Sequence, residues 1–147
     1  MSESKTWFCA EEKDTAVLGR KLAAMARRGD CFVLFGTLGM GKSVLSRAFI
    51  CSLTDAEEVP SPTFTLVQSY AAKDFEIYHF DLYRLKSPEE IFELGMEEAL
   101  YDGVTLIEWP EKMGGYLPRK AFKIEILPEN GGRRITITGD ERLNSLE

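Results

Sequence analysis

No apolar run in this 147-residue chain approaches the ~18 residues that a membrane-crossing helix needs. Its first residues, Met1-Ser2-Glu3-Ser4-Lys5, lack a basic stretch followed by an apolar one, so no signal peptide is expected and the expected compartment is the cytoplasm. The cysteines Cys9, Cys31 and Cys51 stand far apart with no C-x-x-C pair, which argues against a disulfide framework or a zinc site and leaves them as small core residues. Positive charge is in deficit: 18 Lys and Arg against 24 Asp and Glu give a formal net charge of −6. Affinity for a nucleic-acid backbone comes mainly from neutralised phosphates, so autonomous DNA or RNA binding is not expected, and a partner should hold any RNA involved. The local basic groups, Arg20 to Arg28, Arg119 to Lys123, and Arg133 with Arg134, read as solvated faces. A chain of this length buries roughly 68–70 % of the surface its unfolded form exposes, enough for one core, and residues 1–147 are read as a single domain.

Against these absences stands one complete motif. Gly36-Thr37-Leu38-Gly39-Met40-Gly41-Lys42-Ser43 has the form G-x-x-x-x-G-K-[ST] and directly follows the apolar run Cys31-Phe32-Val33-Leu34-Phe35. A buried strand that ends in a loop free of Cβ crowding lets backbone N–H groups curl around a phosphate, and Gly36, Gly39 and Gly41 supply that freedom. Lys42 adds a point charge on a solvent-facing loop, Ser43 brings a hydroxyl to a magnesium ion, and the helix starting here directs its positive end at the phosphates. The loop is suited to a nucleoside triphosphate.

The rest of the pattern is α/β. Residues 6–9 read as a short strand, and 11–28 as a helix with Ala16, Val17, Leu22, Ala23 and Ala26 on its apolar side, stopped by Gly29. Residues 31–35 form a central strand, and 42–53 the helix after the loop, packing through Val44, Leu45, Ala48 and Phe49. Two β-rich stretches, 65–70 and 75–82, are spaced for an antiparallel hairpin. Ser87-Pro88-Glu89-Glu90 is a capping box opening a helix that Gly95 ends, with a short helix following to Tyr101. A buried strand over 104–108 and two late strands, 121–127 and 133–138, complete the set. The expected fold is a P-loop nucleotide-binding fold: a mixed sheet with a parallel core, antiparallel flanking strands and helices on both faces.

A triphosphate loop needs carboxylates near the magnesium, at the carboxyl ends of neighbouring strands. Asp81 closes the strand containing Ile77-Tyr78-His79-Phe80, and Glu108 closes Val104-Thr105-Leu106-Ile107; for each, the plainer alternative is a surface acid beginning a loop. Thr63, between two prolines in Pro60-Ser61-Pro62-Thr63-Phe64, sits where a switch would sit and could reach magnesium or the γ-phosphate, although a rigid connector fits equally well. Trp109 could stack on a base or partner, or simply pack. His79, the only histidine, is read as a hydrogen-bonded structural residue.

Taken together, the phosphate loop, Ser61-Pro62-Thr63-Phe64-Thr65-Leu66-Val67, Tyr78-His79-Phe80-Asp81-Leu82-Tyr83-Arg84-Leu85, Pro88-Glu89-Glu90 with Leu94-Gly95, and Ile107-Glu108-Trp109-Pro110-Glu111 resemble the TsaE (YjeE) family. The resemblance runs from about residue 11 to 139, and the His-Phe-Asp-Leu-Tyr-Arg and Glu-Trp-Pro-Glu blocks are far more specific than the loop. It implies a bacterial ATPase of tRNA threonylcarbamoyladenosine biosynthesis that uses ATP and magnesium. Leu38, Gly39, Met40, Gly41, Lys42 and Ser43 would wrap the phosphates, Ser43 and Glu108 would hold the metal, Asp81 would be the Walker B acid, and Thr63 would belong to a switch segment. Trp109, Glu12 and the late hairpin at Gly132 and Arg133 would lie near the nucleotide. The implied partners are TsaB and TsaD; TsaD transfers the threonylcarbamoyl group to the adenosine beside the anticodon, and tRNA would be met only through them. Thr37 stands where the family often has Asp, Met40 where Ala is usual, Ser43 where Thr is commoner, and Gln68 where Glu is frequent; the missing loop acid puts any contact it makes to a partner in doubt.

Two other functions carry the same loop: a small-molecule kinase, and a nucleotide-gated binding module that hydrolyses almost nothing. A kinase usually has a cationic lid, for which the sequence offers only Arg84. A GTPase would show Asn-Lys-x-Asp, and neither Asn130 nor Asn144 lies in that context, so adenine is the expected base.

Overall fold

The computed structural model describes residues 3–36 and 41–146. Element order is β1 (Glu3–Cys9), α1 (Glu12–Met25), β2 (Cys31–Gly36), α2 (Lys42–Leu53), β3 (Val67–Ala71), β4 (Glu76–Asp81), α3 (Met96–Asp102), β5 (Val104–Glu108), β6 (Phe122–Glu129) and β7 (Gly132–Gly139). Short 3₁₀ turns cover Pro88–Phe92, Pro110–Tyr116 and Glu141–Ser145. The strands form one sheet in the order β1-β7-β6-β2-β5-β4-β3. β2 pairs in parallel with β5 and β6, and β5 with β4, whereas β1–β7, β6–β7 and β3–β4 are antiparallel. The sheet is therefore mixed, with its parallel strands at the centre.

Strand alternation divides the core in two. Phe32 and Leu34 of β2, Leu106 of β5 and Ile77 of β4 pack with Leu18 and Leu22 of α1 and Leu45, Phe49 and Ile50 of α2. Cys31 and Val33, Ile107 and Phe80 pack on the opposite face with Ile91, Met96, Ala99 and Met113. β5 is buried along its whole length, as a strand covered on both faces should be. The Cys31 thiol lies in this core, and burial pushes its pKa up to about 12, so it is chemically inert packing.

Element positions follow the sequence pattern, but several edges and one face differ. α1 stops at Met25, not residue 28, because Ala26 turns extended and the Asp30 carboxylate accepts the Arg27 N–H at 2.8 Å; Gly29, at φ +92°, belongs to that turn and not to the helix cap. Its buried face is Thr15, Leu18, Gly19, Leu22 and Ala23, while Val17 is exposed. The face is set by contact with α2: a Cβ on Gly19 would stand 2.7 Å from the Leu45 carbonyl oxygen and 3.1 Å from the Ala48 Cβ. Gly19→Ala is therefore expected to cost about 1–3 kcal/mol, since helix backbone must move to admit the methyl, readable as a lower urea midpoint at unchanged m-value. β3 begins at Val67 because Leu66 is held at φ +70°. The segment opened by Ser87 is a 3₁₀ turn and not a helix; Glu90 still reaches back to the Lys86 and Ser87 N–H groups at 2.7 and 2.9 Å. Asn130 and Gly131, both at positive φ, make the tight turn that joins β6 to β7.

Away from the carboxyl ends of the central strands, Arg142 fastens the last turn to the domain. Its guanidinium grips Asp30 through two bonds of 2.8 and 2.9 Å, reaches Asp140 at 2.8 Å and the Met25 carbonyl at 3.1 Å. The Arg142 and Asp30 side chains keep only 14 % and 13 % exposure, so Arg142→Ala strands a largely desolvated carboxylate and is expected to cost about 2–4 kcal/mol. Hydrogen bonding to Arg142, more than any other cause, holds the Asp140 carboxyl below its ordinary 3.8. A lowered folded-state pKa means stability that is complete above about pH 4 and lost as pH falls through the folded value. Urea melts should thus show the gap between parent and variant narrowing below pH 4.

Candidate functional site

A cavity of about 310 Å³ opens where the central parallel strands end, lined by Glu12, Gly41, Lys42, Ser43, Val44, Arg47, Ser61, Thr63, Asp81, Glu108 and Trp109. Such crevices at the carboxyl ends of parallel strands are where α/β proteins collect ligands. Register builds its acidic side: Asp81 pairs with Glu108, and His79 with Leu106, across β4 and β5. Side chains alternate with period two, so His79, Asp81 and Glu108 all project to the face that carries α1 and α2. Both acids are buried, Asp81 at 5 % and Glu108 at 4 % exposure, which excludes the reading of either as a surface acid at a loop start.

Asp81 is tethered through both of its oxygens and Glu108 through one. The Asp81 Oδ1 accepts the Tyr83 N–H at 3.0 Å, and its Oδ2 accepts the hydroxyls of Thr63 and Ser61 at 3.2 and 3.3 Å. Glu108 meets the His79 ring, Nε2 to Oε2, at 2.7 Å. Two non-glycine residues with left-handed backbone flank these acids: Leu66, whose N–H bonds the Pro62 carbonyl at 2.7 Å, and Trp109, at φ +59° immediately after Glu108. Bulky residues rarely adopt that conformation, and where they do, surrounding structure fixes it, often beside a functional site.

Lys42 departs from expectation. Instead of facing solvent from a loop, it is the first residue of α2 and only 5 % exposed. Its Nζ lies 3.8 Å from the Trp109 ring centroid and has no hydrogen-bond acceptor among the described residues. Burial pushes its pKa down, and the nearby charges of Glu108, Glu111 and Asp81 offset part of that. Trp109 in turn contacts Tyr83, ring centroids 4.9 Å apart. Gly41 enters α2 at φ +99°, and the Arg133 Cδ lies 3.5 Å from where a Gly41 Cβ would be. Arg133 donates to Thr15 Oγ1 at 3.3 Å; it stands at the edge of the cavity without lining it.

The cavity thus brings together Glu12, Gly41, Lys42, Ser43, Thr63, Asp81, Glu108 and Trp109. Leu38, Gly39 and Met40, with Thr37, lie outside the described residues. Arg84, the one candidate for a lid cation, lies over the exposed Phe64 ring at 4.4 Å. Three further lining residues, Val44, Arg47 and Ser61, are not among those the sequence points to, Val44 being expected only to pack α2 on the sheet. Arg47 is four residues after Ser43 and so shares its side of α2; Ser61 precedes Thr63 by two in the same proline-bounded segment.

Comparison with known proteins gives one answer. Residues 9–135 match the family model described as threonylcarbamoyl adenosine biosynthesis protein TsaE. The tRNA threonylcarbamoyladenosine biosynthesis protein TsaE of Rickettsia bellii is 40 % identical over 144 residues, covering 95 % of this chain and 98 % of that protein. The protein of the same name in Rickettsia felis is 44 % identical over 122 residues, 81 % of this chain and 71 % of that one. The crystal structure of Bacillus subtilis YdiB superposes with a TM-score of 0.77 at 27 % identity, covering 98 % of this chain and 91 % of that structure. The chain belongs to the TsaE family and is a protein of tRNA threonylcarbamoyladenosine biosynthesis.

Proposed function

We propose that this protein is a magnesium-dependent P-loop ATPase that supports threonylcarbamoyl modification of the tRNA adenosine beside the anticodon, working with TsaB and TsaD. The observation that carries the reading is Lys42: a buried ammonium with no acceptor among the described residues, at the start of a helix, in one cavity with two buried carboxylates. An unpaired buried cation is costly unless a ligand supplies its counter-charge, and a phosphate oxygen is the acceptor that the G-x-x-x-x-G-K-[ST] motif provides for.

The residues also fit magnesium. Among the described residues no three His, Cys, Asp or Glu side chains converge as a metal cage, and magnesium characteristically takes one or two carboxylates and completes its shell with phosphates and water. Ser43 and Glu108 would hold it, with Asp81 behind them. A magnesium ion held there would supply positive charge against the negative charge that develops on the phosphate oxygens. Asp81 anchors the proline-bounded segment through the Thr63 and Ser61 hydroxyls, so that segment can respond to whatever occupies the cavity.

Thr63 is the means of testing partnership. With ATP, ADP or no nucleotide, pull-down against purified TsaB–TsaD is expected to show ATP-promoted binding together with stimulated hydrolysis. Thr63→Ala should lose both while still binding ADP. Equal binding in all three nucleotide states, with no stimulation, would leave the nucleotide-gated partnership without support.

A further inference from the structure

We propose that His79 is the positioning residue for Glu108: its ring holds one carboxylate oxygen so that the other faces the cavity. This rests on the ATPase reading above. His79 is 2 % exposed and comes from the interior of β4, two residues before Asp81, on the same face as both acids. Its Nε2 lies 2.7 Å from Glu108 Oε2, so the N–H donates to the carboxylate and removes one of its two oxygens from competition. The opposite ring nitrogen, Nδ1, is buried with no partner among the described residues.

That imbalance separates positioning from packing. A histidine kept for the core alone would be cheaper as an apolar residue of similar shape, since burying an unsatisfied ring nitrogen costs stability. Among the described residues the single bond the ring makes goes to a group of the cavity, and no backbone carbonyl or core hydroxyl shares it. The arrangement is that of a partner that orients a metal-holding carboxylate from behind; loss of such partners typically costs 10–100-fold in metal affinity or activity. The second oxygen, Oε1, is the one left to face metal or water.

The test compares His79→Phe, which keeps ring volume and deletes the donor, with His79→Gln, whose amide can donate from a similar reach. Fold is checked by circular dichroism and a urea melt, and ADP affinity is measured by calorimetry with and without magnesium, beside TsaB–TsaD-stimulated ATPase rates. In the Phe variant, metal-free ADP affinity should stay within about twofold, while magnesium's enhancement of it and kcat fall ~10–100-fold with little change in KM; the Gln variant should recover most of the loss. A Phe variant that matches the parent in kcat and in the magnesium effect, or a Gln variant no better than Phe, overturns the assignment.

Because His79 is the only histidine, the parent protein gives a second readout that needs no variant. Adding magnesium to the ADP complex should move the single set of histidine ring ¹⁵N signals, as the carboxylate bonded to Nε2 takes on a metal. Signals that stay fixed while magnesium tightens ADP binding overturn the role even if the Phe variant does not fold. A parent chain that binds no magnesium nucleotide overturns the ATPase reading itself and this role with it, an outcome distinct from a parent that binds and a variant that behaves the same.

Discussion

Replacing Lys42 with alanine is expected to abolish productive ATP binding and turnover and to leave the fold intact. Under the proposed reading, the ammonium is the cation that meets the phosphates as charge develops on them; deleting one preorganised donor of this kind typically costs ~10²–10³ in rate, and loss of the ground-state phosphate contact adds to it. The structural side of the prediction runs against the usual rule for buried residues. Lys42 is only 5 % exposed and its Nζ has no acceptor among the described residues, so its removal relieves a desolvation penalty and breaks no hydrogen bond to them. The sign is consistent with titration: a lysine whose folded pKa lies below its ordinary 10.5 destabilises the fold while it is charged, which includes neutral pH. The melting midpoint of Lys42→Ala should therefore match or exceed the parent's. Calorimetric titration with ATP gives the binding readout for parent and variant alike, because any Trp109 emission change that depends on Lys42, 3.8 Å from its ring centroid, is lost with the side chain itself. An alanine variant that folds and keeps parental ATP affinity and turnover would refute the loop assignment.

Much of this site is legible in the chain because its residues sit at the ends of strongly patterned elements. The run from Cys31 to Phe35 and the run from Val104 to Ile107 are buried central strands, and whatever follows a central parallel strand arrives at the same end of the sheet; Lys42 and Glu108 follow from that rule. What the pattern cannot give is register. That His79 lands diagonally across from Glu108 depends on Asp81 pairing with Glu108 and not with a neighbour, and a one-residue slip would send His79 to the other face. The reading of His79 as a hydrogen-bonded structural residue was right about the bond and silent about its partner. Exposure was the other blind spot. The motif gives Lys42 its charge but says nothing of the Trp109 ring that covers it, because Trp109 reaches that position through a left-handed backbone that no propensity favours. Likewise the apolar stripe expected on α1 holds at Leu22 and Ala23 but fails at Val17, which is exposed: Gly19, invisible to a hydrophobicity count, decides which side meets α2.

The second large effect belongs to Glu108, and two substitutions divide chemistry from folding. Glu108→Gln keeps the side-chain shape and an oxygen that can still accept from the His79 ring, but removes the charge that would hold magnesium or orient water. Hydrolysis should fall ~10²–10⁴-fold, the range for a lost general base, which is about 3–5 kcal/mol at 1.36 kcal/mol per decade, while ADP binding in the absence of magnesium changes little. Glu108→Ala removes the carboxylate altogether and leaves His79, in a site of 2 % exposure, with neither ring nitrogen bonded to any of the described residues. It should therefore lose hydrolysis to at least the same degree and also about 1–3 kcal/mol of stability for the stranded donor. Single-turnover ATPase assays with TsaB–TsaD present, read beside urea melts of both variants, check the pair. If Glu108→Gln hydrolyses ATP at the parental rate, Glu108 is a bystander; if Gln and Ala melt together, the 2.7 Å bond to His79 contributes nothing to the fold, and the acid's place in the core rests on packing alone.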